Sequence, residues 1–249
     1  LELLKGRQFD VIIDSSGRKP DETKNVINVT GSPKYRFLYV SSAGVYSDSQ
    51  YYPVDEECSV DSNSRHFGKY QTEQWLQSQK IPFTSFRPTY IYGPGNYNPI
   101  ERWFFDRIIN KRPVPIPGDG MTITQLGHVM DLADAMERSL ECNVATNRIY
   151  NCSGNKGVTF QGLVDAAALA CGQDPKTISR HSFDPLSLDP KARKVFPLRL
   201  NNFLTDISRA RNELSWEPNF DLTSGLRDSF LNDYSLNPTL EPDFSSDMT

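Results

Sequence analysis

The chain has 249 residues and a net charge of −4, and 37% of its residues are hydrophobic and 23% charged. That length suits one large hydrophobic core or two smaller ones, and the mildly acidic balance argues against a whole surface that grips nucleic acid. No apolar run reaches the roughly eighteen residues of a transmembrane helix, so no membrane association is predicted. The cysteines form no CxxC pair and favour a reduced compartment over a zinc site: Cys58, Cys142, Cys152 and Cys171.

The first third of the chain alternates apolar runs with polar, helix-compatible stretches. FDVIID (9–14) and RFLYVSS (36–42) are continuous apolar runs, which are typical of strands in a parallel sheet covered on both faces. The stretch between them begins after a proline and ends at a glycine, so a helix and a βαβ unit are predicted. A helix over 69–79 and a third strand over 83–93 continue the pattern. We therefore predict a doubly wound α/β fold.

An open sheet of this kind binds a dinucleotide where its first strand runs through a glycine-rich turn into a helix. The sequence has no GxxGxxG motif, and Gly93 and Gly95 follow a late strand as turn glycines. If residues 9–14 are the fourth strand of such a sheet, about 60 further residues would precede them in a complete domain. We then expect an apolar sheet edge at 9–14, and NAD(P) binding only when the preceding segment is present.

The domain boundary is predicted from a change of composition after Gly93, where prolines and aromatic residues become frequent. Residues 1–95 are predicted to form a partial Rossmann-like NAD(P)-binding-fold domain. Residues 96–236 are predicted to be mostly a C-terminal substrate-type lobe, with one or more segments returning to the sheet. VTFQGLVDAAALACG (158–172) and FLTDISRARNELSW (203–216) are its predicted helices, and 237–249 have little to bury and are a predicted tail.

Several motifs occur in order along the chain: VSSAGVY (40–46), GK with a glutamate four residues later (68–73), RPTYIYGPGN (87–96), PIPGDG (115–120), GHVMDLADAM (127–136) and DISRARNELSWEP (206–218). Together they resemble the extended short-chain dehydrogenase/reductases, the group that contains sugar-nucleotide epimerases and dehydratases. The resemblance covers nearly the whole chain. It implies a Rossmann-like, doubly wound parallel sheet with a smaller C-terminal α/β lobe.

That family uses a serine, a tyrosine and a lysine four residues after the tyrosine as a proton relay beside the nicotinamide. Ser42 and Lys69 match the serine and the lysine, but Arg65 stands at the tyrosine position. A guanidinium stays protonated and cannot act as a general base. The neighbouring His66 can titrate, although its shorter side chain leaves the helix at a different angle. His66 is thus either a replacement base or a polar residue at a helix start.

The same resemblance places further residues near the cofactor and the substrate. Residues Ser15, Ser16 and Gly17 after the first strand, and Pro88 and Thr89 after the third, would approach the cofactor; ordinary strand-to-loop residues are the equal alternative. Thr124 and Gln125 stand where sugar-nucleotide enzymes carry an arginine and an aspartate, so the clamp on the substrate diphosphate is missing.

The segments in which this sequence departs from the family pattern resemble those of one subfamily. SRHFGK (64–69), WFFDRI (103–108), ITQLGHV (123–129) and FPLR (196–199) are similar to the chloroplast stem-loop-binding proteins and their cyanobacterial relatives, which are atypical short-chain dehydrogenase/reductases. The resemblance implies binding of stem-loop messenger and ribosomal RNA, with a metal-aided endoribonuclease activity in some members. It also implies a location in the chloroplast stroma or the cyanobacterial cytoplasm.

A basic segment could serve such binding. KARKVFPLR (191–199) surrounds Phe196 with four basic residues, Lys191, Arg193, Lys194 and Arg199. Cationic side chains neutralise phosphates, and aromatic faces stack on unpaired bases. A ligand-contacting loop and a loop without function fit this segment equally. RWFFDRIINKR (102–112) is similar in composition, but its helical spacing favours a core helix with a solvated face.

We therefore expect an RNA-binding protein on a dehydrogenase scaffold. The alternatives are an NAD(P)-dependent sugar-nucleotide epimerase, dehydratase or reductase with His66 as base, and a non-catalytic structural partner in a ribonucleoprotein. Cleavage would call for Mg²⁺, yet Asp14, Asp48, Asp55 and Glu56 are scattered, so no metal ligand is assigned. A homo-oligomer or a ribosome-associated complex is expected by analogy alone.

Overall fold

The protein is described by a computed structural model that covers residues 2–188, 196–244 and 247. These residues divide into two compact units. The first unit comprises the chain up to Thr89, together with 131–153 and 205–217. The second comprises 90–130 and the described residues of 154–204 and 218–249.

The helices and strands within the described ranges are as follows. The strands are β1 (Val11–Asp14), β2 (Arg36–Val40), β3 (Phe83–Pro88), β4 (Tyr90–Tyr92), β5 (Val114–Pro117), β6 (Ile123–Thr124), β7 (Leu126–His128), β8 (Arg148–Cys152), β9 (Val158–Thr159) and β10 (Arg180–Phe183). The helices are α1 (Pro20–Thr30), α2 (Phe67–Ser78), α3 (Ile100–Ile109), α4 (Val129–Glu141), α5 (Phe160–Ala170), α6 (Ser208–Leu214) and α7 (Leu222–Ser229). None of the helices described is both long and apolar enough to cross a membrane.

The first unit is built on a four-stranded sheet in the order β1-β2-β3-β8, and all its neighbouring strands are parallel. Every residue of β2 and β3 is buried, and for β2 this burial was predicted from the continuous apolar run at 36–42. Phe37, Tyr39, Leu76 and Phe83 form the core between the sheet and its helices. β1 lies at one edge, where Ile13 leaves 59% of its surface exposed. The parallel sheet confirms the predicted α/β class.

The third predicted strand is wrong in one respect, because 83–93 is two strands and not one. β3 ends at Pro88 and pairs with β8, whereas β4 begins at Tyr90 and pairs with β7. A proline has no main-chain N–H to donate, so the ladder does not continue through it. The break at Thr89 is also the border between the two units.

The predicted helix 203–216 is shorter in the structure, where α6 covers Ser208–Leu214 alone. Thr205 forms an isolated parallel bridge with Val54. The Asp206 Oδ1 atom accepts a hydrogen bond from the main-chain N–H of Ser208 at 2.6 Å. An aspartate that accepts from an N–H two residues later stabilises a turn, so the helix begins only after Asp206.

The core of the second unit is rich in aromatic side chains. The helix α3 buries Phe104, Phe105 and Ile108, and α5 buries Phe160 and Leu163. Phe160 lies edge-on to the ring of Phe196, with centroids 4.9 Å apart. The helix predicted within 102–112 is thus a core helix.

A buried carboxylate lies at the start of α3. Glu101 is 2% exposed; its Oε1 accepts hydrogen bonds from the Gly93 N–H at 3.0 Å and from the Ser229 hydroxyl at 2.9 Å. Its Oε2 has no hydrogen-bond partner among the described residues. Burial raises the pKa of the Glu101 carboxyl above its ordinary value of 4.5, because desolvation disfavours the charged form.

The raised pKa predicts a pH dependence of stability. The folded chain keeps the Glu101 proton at pH values where the unfolded chain has lost it. The contribution of Glu101 to the free energy of unfolding is therefore fully present below about pH 4.5 and is lost as the pH rises through the raised pKa. We expect Glu101→Gln to remove the part of the fall in unfolding free energy that Glu101 causes as the pH rises, as measured by urea unfolding from pH 4 to 8. Glu241→Gln, at an exposed position of the same unit, is the control. A pH profile unchanged by Glu101→Gln would contradict the prediction.

Candidate site at the carboxyl end of the parallel strands

A turn built on Asp14 follows β1. The Asp14 Oδ1 accepts hydrogen bonds from the main-chain N–H groups of Gly17 at 2.7 Å and Ser16 at 3.1 Å, and its Oδ2 accepts one from the Thr23 hydroxyl at 2.8 Å. A Cβ atom added at Gly17 would lie 2.5 Å from the Asp14 Oδ2, so the turn has no room for a side chain there. The carboxylate therefore holds residues 15–17 in one conformation.

Lys69 joins this turn to the end of β2. Its ammonium donates hydrogen bonds to the carbonyl oxygens of Val40 at 2.7 Å and Gly17 at 3.1 Å. Burial lowers the pKa of Lys69, because desolvation disfavours its charge. An ammonium has three donors, so one N–H remains for a ligand at the carboxyl end of the strands.

The tyrosine beside Lys69 in the first unit is Tyr39, whose ring centroid lies 5.4 Å from the ammonium nitrogen. The phenol donates a hydrogen bond to the Gly17 carbonyl oxygen at 2.9 Å. Burial raises the pKa of Tyr39, so the phenol stays neutral near pH 7. A neutral phenol is not a base, so Tyr39 does not replace the tyrosine that the family resemblance implies at position 65.

Ser42 and His66 meet at the short 3₁₀ turn Ala43–Val45. The Ser42 hydroxyl oxygen accepts a hydrogen bond from the Gly44 N–H at 3.0 Å. The His66 imidazole packs on Gly44 so closely that an added Cβ would lie 2.5 Å from its Cδ2. Arg65 Nε donates to His66 Nε2 at 3.0 Å, so that nitrogen accepts a hydrogen bond from a permanent cation. The Nε2 lone pair of His66 is therefore engaged by the Arg65 side chain.

The residues predicted to approach a cofactor are only partly brought together. Gly17 and Pro88 are buried, and Ser15 and Ser16 are exposed. The Thr89 hydroxyl is buried and, within the described ranges, has no hydrogen-bond partner, and the same is true of Ser41 Oγ at the end of β2. A cavity of about 370 Å³ adjoins the turn after β1 and is lined by six residues: Asp14, Ser16, Gly17, Arg18, Glu22 and Val26.

The predicted RNA-binding residues Lys191, Arg193 and Lys194 lie outside the described residues. Arg199 belongs to the second unit, and its guanidinium carbon lies 4.5 Å from the centroid of the Phe203 ring. The main-chain N–H of Arg199 donates to the Tyr90 hydroxyl at 2.7 Å.

The positions of the missing diphosphate clamp lie in the second unit. Thr124 and Gln125 are 1% and 2% exposed, and the Gln125 amide donates to the Gly154 carbonyl oxygen at 2.7 Å. No three His, Cys, Asp or Glu side chains come together as a metal site in the part of the chain that the structure describes.

Asp14 organises the turn after β1, although from the sequence it was interpreted only as one of several scattered acids. The available signal was the run Asp-Ser-Ser-Gly directly after a strand, because aspartate followed by small residues is typical of turns that use the side chain as an acceptor. Gly68 was missed as well: a Cβ there would lie 2.5 Å from the Arg18 carbonyl oxygen. Glycine thus lets the start of α2 approach the loop after β1.

Comparison with known proteins decides the family. Residues 22–153, more than half of the chain, match the model of the NAD dependent epimerase/dehydratase family. The chain belongs to this family. The solved structures of an epimerase and a dehydratase confirm the predicted Rossmann-like fold.

Three relatives of this epimerase/dehydratase family member are informative. The chain is 43% identical over 247 residues to the chloroplast stem-loop binding protein of 41 kDa b from Arabidopsis thaliana, which covers 98% of the chain and 64% of that protein. That similarity confirms the resemblance inferred from the motifs. The UDP-glucuronic acid 4-epimerase of Bacillus cereus in complex with NAD is 17% identical, with a TM-score of 0.65, over 81% of this chain and 62% of its own. The dTDP-glucose 4,6-dehydratase of Bacillus anthracis in complex with NAD is 18% identical, with a TM-score of 0.69, over 92% and 73%.

Proposed function

We propose that this member of the NAD dependent epimerase/dehydratase family binds stem-loop RNA. The observation that carries the proposal is the 43% identity, over 98% of the chain, to a protein named for stem-loop binding. The same relative suggests a place in the chloroplast stroma, and the cytoplasm of a cyanobacterium is the alternative. The chain spans 64% of that relative's length, so the activity and partners of the whole protein are part of the proposal.

The state of the proton relay supports this function over epimerase chemistry. Arg65 replaces the tyrosine, and a guanidinium is no base. Tyr39 is held neutral by burial, and His66 Nε2 accepts a hydrogen bond from Arg65. Neither the Arg65 guanidinium nor the neutral Tyr39 phenol is therefore a base near Lys69, and the Nε2 lone pair of His66 is engaged by Arg65.

NAD(P)-dependent epimerisation, dehydration or reduction is the second candidate, which the retained part of the site favours. Among the described residues, one N–H of Lys69 and the hydroxyls of Ser41 and Thr89 have no hydrogen-bond partner. These groups suit a polar ligand, so the residues present fit the nicotinamide end of NAD(P). The bound cofactor would supply hydride transfer, and these residues would hold and orient it. A glycine-rich pyrophosphate turn is not among the 249 residues.

Titration of a labelled stem-loop RNA with the chain at several salt concentrations tests the proposal. We expect the logarithm of the affinity to fall linearly with the logarithm of salt concentration. Changing Lys191, Arg193 and Lys194 together to Glu should weaken binding and flatten that slope by about one unit for each lost phosphate contact. The control changes Lys24, Lys34 and Lys176 to Glu, which alters the net charge equally.

The outcomes separate the candidate functions. Equal loss in both triple variants would reject the 191–194 patch, and failure of the unaltered chain to bind would reject the proposed function. Cleavage that requires Mg²⁺ would add endoribonuclease activity, whereas binding without turnover would indicate a structural partner in a ribonucleoprotein such as a ribosome-associated complex. Hydride transfer from NAD(P)H that Ser42→Ala abolishes would favour the second candidate. Sedimentation of the same samples would show whether a homo-oligomer forms.

A further inference from the structure

A larger cavity, of about 530 Å³, lies elsewhere in the first unit. One wall is the helix α2, and the others are the start of β8, the first turn of α6 and the loop 56–60. Neither Ser42, Lys69 nor Gly17 lines it. The cavity is therefore distinct from the candidate site at the carboxyl end of the strands.

The wall formed by α2 combines stacking surfaces with amide groups. Phe67, Tyr70, Gln74 and Gln77 all line the cavity, and their spacing of three and four residues puts them on one face of the helix. The rings of Phe67 and Tyr70 lie 5.8 Å apart between centroids, and both glutamines are exposed. Aromatic rings beside side-chain amides provide what an unpaired base needs, because the rings stack on it and the amides bond to its edge.

Three arginines line the cavity, and their ion pairs leave Arg148 able to bind an anion. Arg209 is occupied, because its Nη2 lies 2.6 Å from the Glu57 carboxylate and its Nε lies 3.5 Å from that of Glu56. Arg87, at the back of the cavity, is paired with the buried Glu73. Arg148 is 47% exposed and meets Glu213 only through Nε at 3.5 Å. Within the described first unit its terminal nitrogens have no partner, and a guanidinium fork fits a phosphate.

We propose that this cavity binds one unpaired nucleotide, with the base against Phe67 and Tyr70, its edge at Gln74 and Gln77, and its phosphate at Arg148. The inference rests on the proposed RNA binding, since the nucleotide belongs to a single-stranded loop of the RNA. A free nucleotide carries the same chemistry, so the test contains an arm for each source.

The test uses the 249-residue chain with a single-stranded oligoadenylate carrying one 2-aminopurine, whose fluorescence falls when the base stacks. We expect quenching by the unaltered chain and by Tyr70→Phe, and about tenfold weaker binding with Tyr70→Leu, since one base stacked on an aromatic ring is worth about 1–3 kcal/mol. Arg148→Ala should lower the salt slope by about one unit. Gln71→Ala, at an exposed position of α2, and Lys34→Ala are the matched controls.

Competition by AMP identifies the source of the nucleotide. AMP binding that depends on Tyr70 and Arg148, with oligoadenylate binding unaffected by either change, would overturn the RNA assignment of the cavity. Oligoadenylate bound equally by Tyr70→Leu and Tyr70→Phe would overturn the cavity as a site while leaving RNA binding intact. Binding of stem-loop RNA without quenching of 2-aminopurine would also overturn the cavity as a site. If the chain binds no RNA at all, the proposed function itself is rejected.

Discussion

Replacing Glu73 with alanine is expected to destabilise the first unit by about 3–5 kcal/mol, because it leaves a buried cation without its partner. Glu73 and Arg87 are 0% and 2% exposed, and the Arg87 Nη2 lies 2.6 Å from the Glu73 Oε2. A second bond joins Nε to Oε1 at 3.2 Å, and the Ser85 hydroxyl donates to the same oxygen at 2.8 Å. Burial opposes the charge on Arg87, but the Glu73 carboxylate raises its pKa, so the arginine stays charged.

The measurement is the urea midpoint followed by circular dichroism. Glu57→Ala, whose side chain is 79% exposed in its ion pair with Arg209, should change stability by less than about 1 kcal/mol. The double replacement Glu73→Leu with Arg87→Met should recover much of the loss, because it removes both buried charges together. If Glu73→Ala and Glu57→Ala have the same midpoint, the buried ion pair does not stabilise the unit as described.

Replacing Phe105 with alanine is expected to destabilise the second unit by a similar amount, about 3–5 kcal/mol. Phe105 is 0% exposed and lies edge-on to Phe230 and Tyr234, with centroids 5.4 and 5.5 Å away. The lost stability has two parts: the transfer free energy of the ring that is no longer buried, and the cost of the cavity that the truncation leaves.

Hydrogen exchange of the second-unit amides and the urea midpoint both report this change. Phe105→Leu should destabilise the unit less than Phe105→Ala, because the leucine side chain fills part of the cavity. The control is Leu169→Ala in the same unit, where the side chain is 48% exposed. Equal midpoints for Phe105→Ala and Leu169→Ala would show that the aromatic cluster around α3 does not form the core of the unit.

Local patterns predicted much of the sheet. The continuous apolar run at 36–42 contains β2, and the strand predicted over 83–93 contains β3; both strands are buried throughout. The signal was strong because a strand covered on both faces needs apolar side chains at consecutive positions. The break at Thr89 was not predicted, because the aromatic and β-branched residues 90–92 continue the strand-forming sequence after it and the partner strand of β4 lies more than thirty residues away in sequence.

The candidate site was less predictable. The motif identified Ser42 and Lys69, but not their environment. Asp14 holds the turn whose Gly17 carbonyl accepts from Lys69 and from Tyr39. These contacts join residues 22 to 52 positions apart, and no local period of a helix or strand reports such pairs.

The residue types alone settle one point of chemistry, because an arginine at position 65 cannot act as a base in any fold. The residue types also indicated the family, through several motifs that occur in order along the chain. The packed structure was needed to show that Lys69 is held between two carbonyl groups and that the adjacent Tyr39 is neutral. Protonation and hydrogen bonding depend on burial and on neighbours from distant segments, which exist only after the chain has packed.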